Sequence, residues 1–132
     1  MLMPQIARYM THQPWTISPR GTLRDAHALM REHDIRHLPV VDDGKLVGIV
    51  SERDLGMLES LGVRRGAPVR EAMSEPVYAV GAAEAIDVVA RTMSEHKYGS
   101  AVVMTRDGAV EGIFTMIDAC RALAELLERA VA

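Results

Sequence analysis

The chain has 132 residues, of which 48% are hydrophobic and 25% charged, with a net charge of −3. This is the composition of an ordinary globular protein, long enough to bury a core, with no electrostatic pull toward nucleic acid or anionic membrane. A single cysteine, Cys120, excludes an intrachain disulfide and a cysteine-based zinc site, and the apolar runs are too short for a membrane span. A cytoplasmic setting is the default expectation.

In chain order, the sequence predicts the same unit twice. A short amphipathic turn over Gln5 to Met10 leads into an extended stretch at Trp15-Thr16-Ile17. A helix follows, with Thr22 and Asp25 as a capping box and Leu23, Ala26 and Met30 on one face. Two apolar strands, Leu38-Val41 and Leu46-Val50, flank the hairpin turn Asp42-Asp43-Gly44-Lys45. The half closes with a helix from Ser51 to about Leu61, with Gly62 as its C-cap.

The second half repeats this order. A turn over Pro68 to Met73 and an extended stretch over Val77 to Val80 come first. Next is a helix started near Ala82 to Glu84 and carrying Ile86, Val89 and Met93. Strands Ala101-Met104 and Ala109-Phe114 turn at Arg106-Asp107-Gly108, and a last helix runs from Thr115 to about Ala130. The halves match at an offset of 63 residues, drifting to 64: Met10 with Met73, Glu32-His33 with Glu95-His96, Gly48 with Gly112. The expected fold class is α+β. One module spans 1–132, with repeat 1 at about 5–61, a linker at 62–67 and repeat 2 at about 68–130. Half a chain gives a thin core, so the two repeats are expected to share one, sheet against sheet, about a pseudo-twofold axis.

The chemistry-bearing pattern is glycine, two apolar residues, a hydroxyl, two further residues and Asp. It occurs at Gly48-Ile49-Val50-Ser51-Glu52-Arg53-Asp54 and Gly112-Ile113-Phe114-Thr115-Met116-Ile117-Asp118. At a strand-to-helix corner the glycine admits a ligand to the backbone, the hydroxyl and free N–H groups meet phosphate, and the Asp accepts from ribose hydroxyls. Ser-x-x-Asp and Thr-x-x-Asp are equally capping boxes that need no ligand. The residue pattern leaves both readings open.

The duplicated motif, the Asp-Gly hairpins and Ile35-Arg36-His37-Leu38-Pro39-Val40-Val41-Asp42 together resemble a CBS-domain pair, over roughly Met3 to Leu127. The resemblance implies a non-catalytic sensor for AMP, ADP, ATP or an adenosyl compound such as S-adenosylmethionine. Each cleft combines the motif of one repeat with strands of the other. One site would join Thr115 and Asp118 to Thr16, Ile17, Arg36, His37 and Pro39. It ranks first because Arg36 and His37 offer donors for phosphate. The other would join Ser51, Arg53 and Asp54 to Tyr78, Val80, Gly99 and Ser100, where Gly99-Ser100 replaces the basic pair. The resemblance also implies disc-like homodimers, built on helices such as Ser51-Leu61 and Thr115-Ala130, and an effector protein as the output.

Competing readings attach to single residues. Arg36 and His37 also fit a solvated strand edge, and His33 and His96 suit helix C-terminal dipoles. Trp15 reads as a core anchor or an exposed dimer contact. Cys120, in step with Ile117 and Leu123, is expected to be a buried thiol. Replacing Asp118 by Ala is expected to abolish nucleotide binding at the first-ranked site while costing only about 1 kcal/mol of stability, the scale of a lost cap. No metal-ligand spacing, glycine-rich phosphate loop or nucleophile–base pair appears, so no obligatory cofactor and no enzymatic activity are expected. A ligand-free dimerisation scaffold is the rival reading.

Overall fold

The computed structural model describes residues 2–132, which form two compact units. One, the Asp54 unit, comprises Pro14–Val77 with Asp107–Val110. The other, the Asp118 unit, comprises the described part of Met1–Gln13 with Tyr78–Arg106 and Glu111–Ala132.

In the Asp54 unit, α1 (Leu23–His33) starts at the expected capping box. Thr22 N donates to Asp25 Oδ2 at 3.1 Å and Asp25 N to Thr22 Oγ1 at 3.1 Å. The helix ends at Asp34, whose φ of 52° is the left-handed turn that stops it. Strands β2 (His37–Asp42) and β3 (Lys45–Ser51) form an antiparallel ribbon, turned at Asp43 and Gly44 with φ of 50° and 77°. Two successive positive φ angles match the right-handed strand twist. Helix α2 (Glu52–Ser60) follows directly from β3. Leu23, Ala26 and Met30 pack on Leu38, Val40, Val50, Leu55 and Val69 as one core cluster.

The Asp118 unit builds a four-stranded sheet in the order β1-β6-β5-β4, from Thr11–His12, Val110–Thr115, Ser100–Met104 and Ala79–Val80. Helix α3 (Ile86–His96) presents Ile86, Val89 and Met93 to Ala101, Val103 and Phe114. It begins at Ile86, with Ala85 as its N-cap, later than the Ala82 to Glu84 expected. Gly81 to Glu84 is a turn, and no side chain caps the helix. Helix α4 (Met116–Ala130) follows β6 and buries Ala122 and Asp118.

Two buried clusters are present, each holding residues of its own unit. The units also cut across the repeat boundaries, because each half gives up its opening segment. Ile6 N donates to Glu84 O at 2.8 Å, Ile86 N to Pro4 O at 2.9 Å, and β1 pairs with β6. Correspondingly, Leu23 N donates to Ala67 O at 2.9 Å, and Ile49 and Ser74 exchange bonds of 3.2 and 2.8 Å. The first N–H of α1 is thereby satisfied from the linker and that of α3 from the opening segment of the chain.

Candidate functional site

Both motif acids stand at a strand-to-helix corner, one turn into α2 or α4, and both fold back on the hydroxyl residue at the N-cap. Ser51 N donates to Asp54 Oδ2 at 2.9 Å, and Asp54 N to Ser51 Oγ at 3.1 Å. Thr115 N likewise donates to Asp118 Oδ2 at 2.9 Å, but here the Thr115 hydroxyl turns to donate to the same oxygen at 3.3 Å. The capping role is therefore real in both copies. What each carboxylate has left over differs.

Asp118 has nothing left over. Its Oδ1 accepts from Arg121 Nη2 at 3.0 Å and from Thr11 Oγ1 at 3.4 Å, and it is only 4% exposed. The same Arg121 nitrogen donates to the Tyr9 carbonyl at 3.0 Å, so the guanidinium is fixed at two points. A carboxylate accepts about four hydrogen bonds, and four donors surround this one. Asp54 is half-buried, and among the described residues nothing donates to its Oδ1. At the position matching Arg121, repeat 1 has Met57.

The other candidates of the Asp54 unit gather near that corner. Ile17 runs beside β2, its N–H donating to Pro39 O at 3.1 Å and its carbonyl accepting from Val41 N at 2.9 Å. Thr16 is exposed, whereas Ile17 and Pro39 are buried, so their side chains belong to packing. His37 lies opposite Ser51 in the β2–β3 register, and the Arg36 carbonyl accepts from Glu52 N at 2.9 Å. Burial pushes the His37 pKa down, with the Asp54 carboxylate pulling it back only in part. At neutral pH the ring is uncharged, so the expected pair of cations reduces to Arg36, which is exposed, as is Arg53.

In the Asp118 unit, the Tyr78 carbonyl accepts from Val102 N at 3.0 Å and Val80 pairs with Val103 across β4–β5. Gly99 is exposed and Ser100 opens β5, half-buried. Two surface hollows of about 630 and 530 Å³ lie in the Asp54 unit. Arg24, Arg64 and Arg65 line the first and His27, Arg31, Arg36 and Glu52 the second, with neither motif acid in their walls.

The motif glycines have another cause than the ligand approach expected of them. A Cβ on Gly48 would come within 2.6 Å of Met73 Sδ, and one on Gly112 within 2.5 Å of Met10 Sδ and 3.0 Å of the Thr11 carbonyl. Each glycine is flattened to receive a methionine from the exchanged segment. Cys120 is a further correction. It is exposed on α4 beside Ile117 and Leu123, which are 72% and 58% exposed, so the stripe read as core faces outward.

Sequence reasoning missed Arg121 and Thr11, and marked Met10 and Met73 only as matched positions of the repeat. Only Arg121 had a visible signal, its i+3 spacing from Asp118. It also missed paired aromatic contacts. Trp15, 53% exposed, stacks on His33 with ring centroids 3.8 Å apart, while at matching positions Tyr78 and His96 each stack on Tyr98, at 5.2 and 5.1 Å.

The CBS domain profile matches residues 6–55 and 69–125, so both motifs fall inside a match. The chain belongs to the CBS-domain family. Among solved CBS-pair relatives, a protein provisionally named for acetoin utilization (AcuB) from Vibrio cholerae is 39% identical, with a TM-score of 0.85, over 96% of this chain and 95% of that one. The CBS pair of protein MJ0100, solved with 5′-methylthioadenosine and S-adenosyl-L-methionine, is 26% identical, with a TM-score of 0.88, over 94% and 98%. CBSX2 of Arabidopsis thaliana, solved with AMP, is 28% identical, with a TM-score of 0.83, over 92% and 97%. Among curated relatives, Bacillus subtilis YhcV is 28% identical and 83% covered, whereas the chain spans only 21% of the Korarchaeum cryptofilum inosine-5′-monophosphate dehydrogenase. The α+β architecture of four helices and small sheets is that of these CBS pairs.

Proposed function

We propose that this CBS pair is a non-catalytic regulatory module whose ligand is an adenosine-type molecule (AMP, ADP, ATP or S-adenosylmethionine) held through its ribose by Asp54. The observation that carries this reading is the open Oδ1 of Asp54, at a corner where the Ser51 hydroxyl and the α2 N-terminus also lie. A ribose diol brings two O–H donors and needs an ionised acceptor whose lone pairs are not already taken. The bound AMP and adenosyl ligands of CBSX2 and MJ0100 support the choice of ligand class. Arg53 supplies charge for a phosphate; Tyr78, Val80, Gly99 and Ser100 belong to this set only through the family resemblance. The set ranked first from sequence, Thr115 and Asp118 with Thr16, Ile17, Arg36, His37 and Pro39, takes second place, because its acid is saturated.

Regulation in this reading is a population shift: the ligand favours whichever arrangement binds it better. The output passes through a homodimer or an effector protein in the cytoplasm. The dimer is supported by apolar side chains left open on α2, at its C-cap and on α4, with Met57 56%, Leu61 72%, Met116 56% and Leu127 56% exposed. Thermal melts with millimolar AMP, ADP, ATP and S-adenosylmethionine, followed by calorimetry on any hit, test the proposal. A ligand of the native state must raise the melting temperature. No shift with any of the four favours the scaffold reading.

A further inference from the structure

We propose that Arg121 acts as a built-in plug on the second site, so that the chain takes up one adenosine ligand, at Asp54, and not two. The inference rests on the nucleotide-binding reading above and assigns it a stoichiometry and the residue that sets it.

The duplicated motif offers two acids of the same kind, so the difference must come from their neighbours. Around Asp118, Thr115 contributes its N–H and its hydroxyl, Thr11 a hydroxyl and Arg121 a guanidinium N–H. For a ribose to bind there, at least two of these donors must leave, and the two easiest to move are Thr11 and Arg121 on Oδ1. Displacing Arg121 breaks a charge-assisted bond to a carboxylate only 4% exposed and, in the same motion, the bond to the Tyr9 carbonyl. A neutral hydroxyl replaces a cation in that exchange, which is electrostatically the poorer partner.

Among the described residues, nothing comparable guards Asp54. Met57 stands at the matching place, apolar and 56% exposed, and Oδ1 keeps its lone pairs. By the repeat offset Ala72 is the counterpart of Tyr9, and it lies in the same unit as Met57. The charged donor at this one position is therefore the larger part of what separates the two acids, with the 3.4 Å hydroxyl of Thr11 the weaker part.

Calorimetric titration of the full chain with AMP and with S-adenosylmethionine tests this, comparing wild type with Arg121→Met and Met57→Arg, each checked by its melting curve. The expected result is one equivalent bound by wild type and two by Arg121→Met. In Met57→Arg, affinity at the single site should fall tenfold or more, as expected for blocking a hydrogen-bonded charge. Two equivalents in wild type, a single unchanged equivalent in Arg121→Met, or loss of binding in that variant overturns the plug while leaving the nucleotide reading in place. No heat from either wild type or Arg121→Met overturns both. Should Arg121→Met fail to fold, Met57→Arg decides, and unaltered affinity there rejects the proposal.

Discussion

The two motif corners share one pattern of glycine, hydroxyl and acid at the same spacing and yet end in different chemical states. At the first, the acid caps its helix with one oxygen and keeps the other. At the second, four donors fill it and the side chain sinks from solvent. Shared spacing fixed the cap in both, because a capping box needs only the hydroxyl and the acid three residues on. Residues outside the motif fixed the rest. Thr11 comes from the exchanged segment, and Arg121 sits one helical turn further along.

The sharpest way to break this comparison is to remove the open acid. Asp54→Ala should weaken adenosine-ligand binding by tenfold to over a hundredfold in calorimetry, the scale of about 1.5–3 kcal/mol for a hydrogen bond to a charged group. Its folding stability should drop by only about 1 kcal/mol, since the cap alone is lost. Undiminished affinity would remove Asp54 from its assigned role.

The same substitution in the other repeat should do the reverse. Asp118→Ala strips an acceptor from four donors in a buried setting, so urea unfolding should show a loss of roughly 2–3 kcal/mol. That exceeds the 1 kcal/mol expected from sequence, because a cap is the smaller part of what this carboxylate does. Equal losses for Asp54→Ala and Asp118→Ala would erase the contrast.

Next come the glycines. Gly112→Ala presses on the Thr11 backbone as well as on Met10 and should cost about 1–3 kcal/mol in denaturant melts, the range for overpacking. Gly48→Ala meets only atoms of the flexible Met73 and should cost less. A larger loss at Gly48 would contradict the packing account of the motif.

The smallest effect concerns His37. Its pKa is lowered in the folded chain, so the unfolded chain binds the proton more readily. Stability from this residue is complete above the unfolded value of about 6.5 and declines as pH falls below it. The slope can reach at most about 1.4 kcal/mol per pH unit. Melting curves at pH 7.5 and 5.5 should show a drop that His37→Asn reduces; an unchanged drop assigns the dependence elsewhere.

Much of the architecture was legible in the residues. The i, i+3, i+7 spacing of Leu23, Ala26 and Met30 and of Ile86, Val89 and Met93 places the two core faces directly, and Thr22 with Asp25 places a cap. Local rules govern all of these. The segment exchange was not legible, since a turn like Ile6–Arg8 offers the same apolar face to either repeat. The periodicity does not say that its N–H groups end on Ala82 and Glu84. Cys120 misled for a related reason: an amphipathic stripe on α4 signals burial against something, and in this chain it faces outward. At the site, the acids were found by pattern, but their occupancy depends on Thr11 and the Tyr9 carbonyl, more than a hundred residues away in sequence.

The most direct test is a crystal structure of the chain grown with AMP or S-adenosylmethionine. The account predicts a ribose on Asp54 Oδ1, with Arg121 still bound to Asp118 and the Tyr9 carbonyl. A ribose on Asp118, or a ligand that touches neither acid, would contradict it.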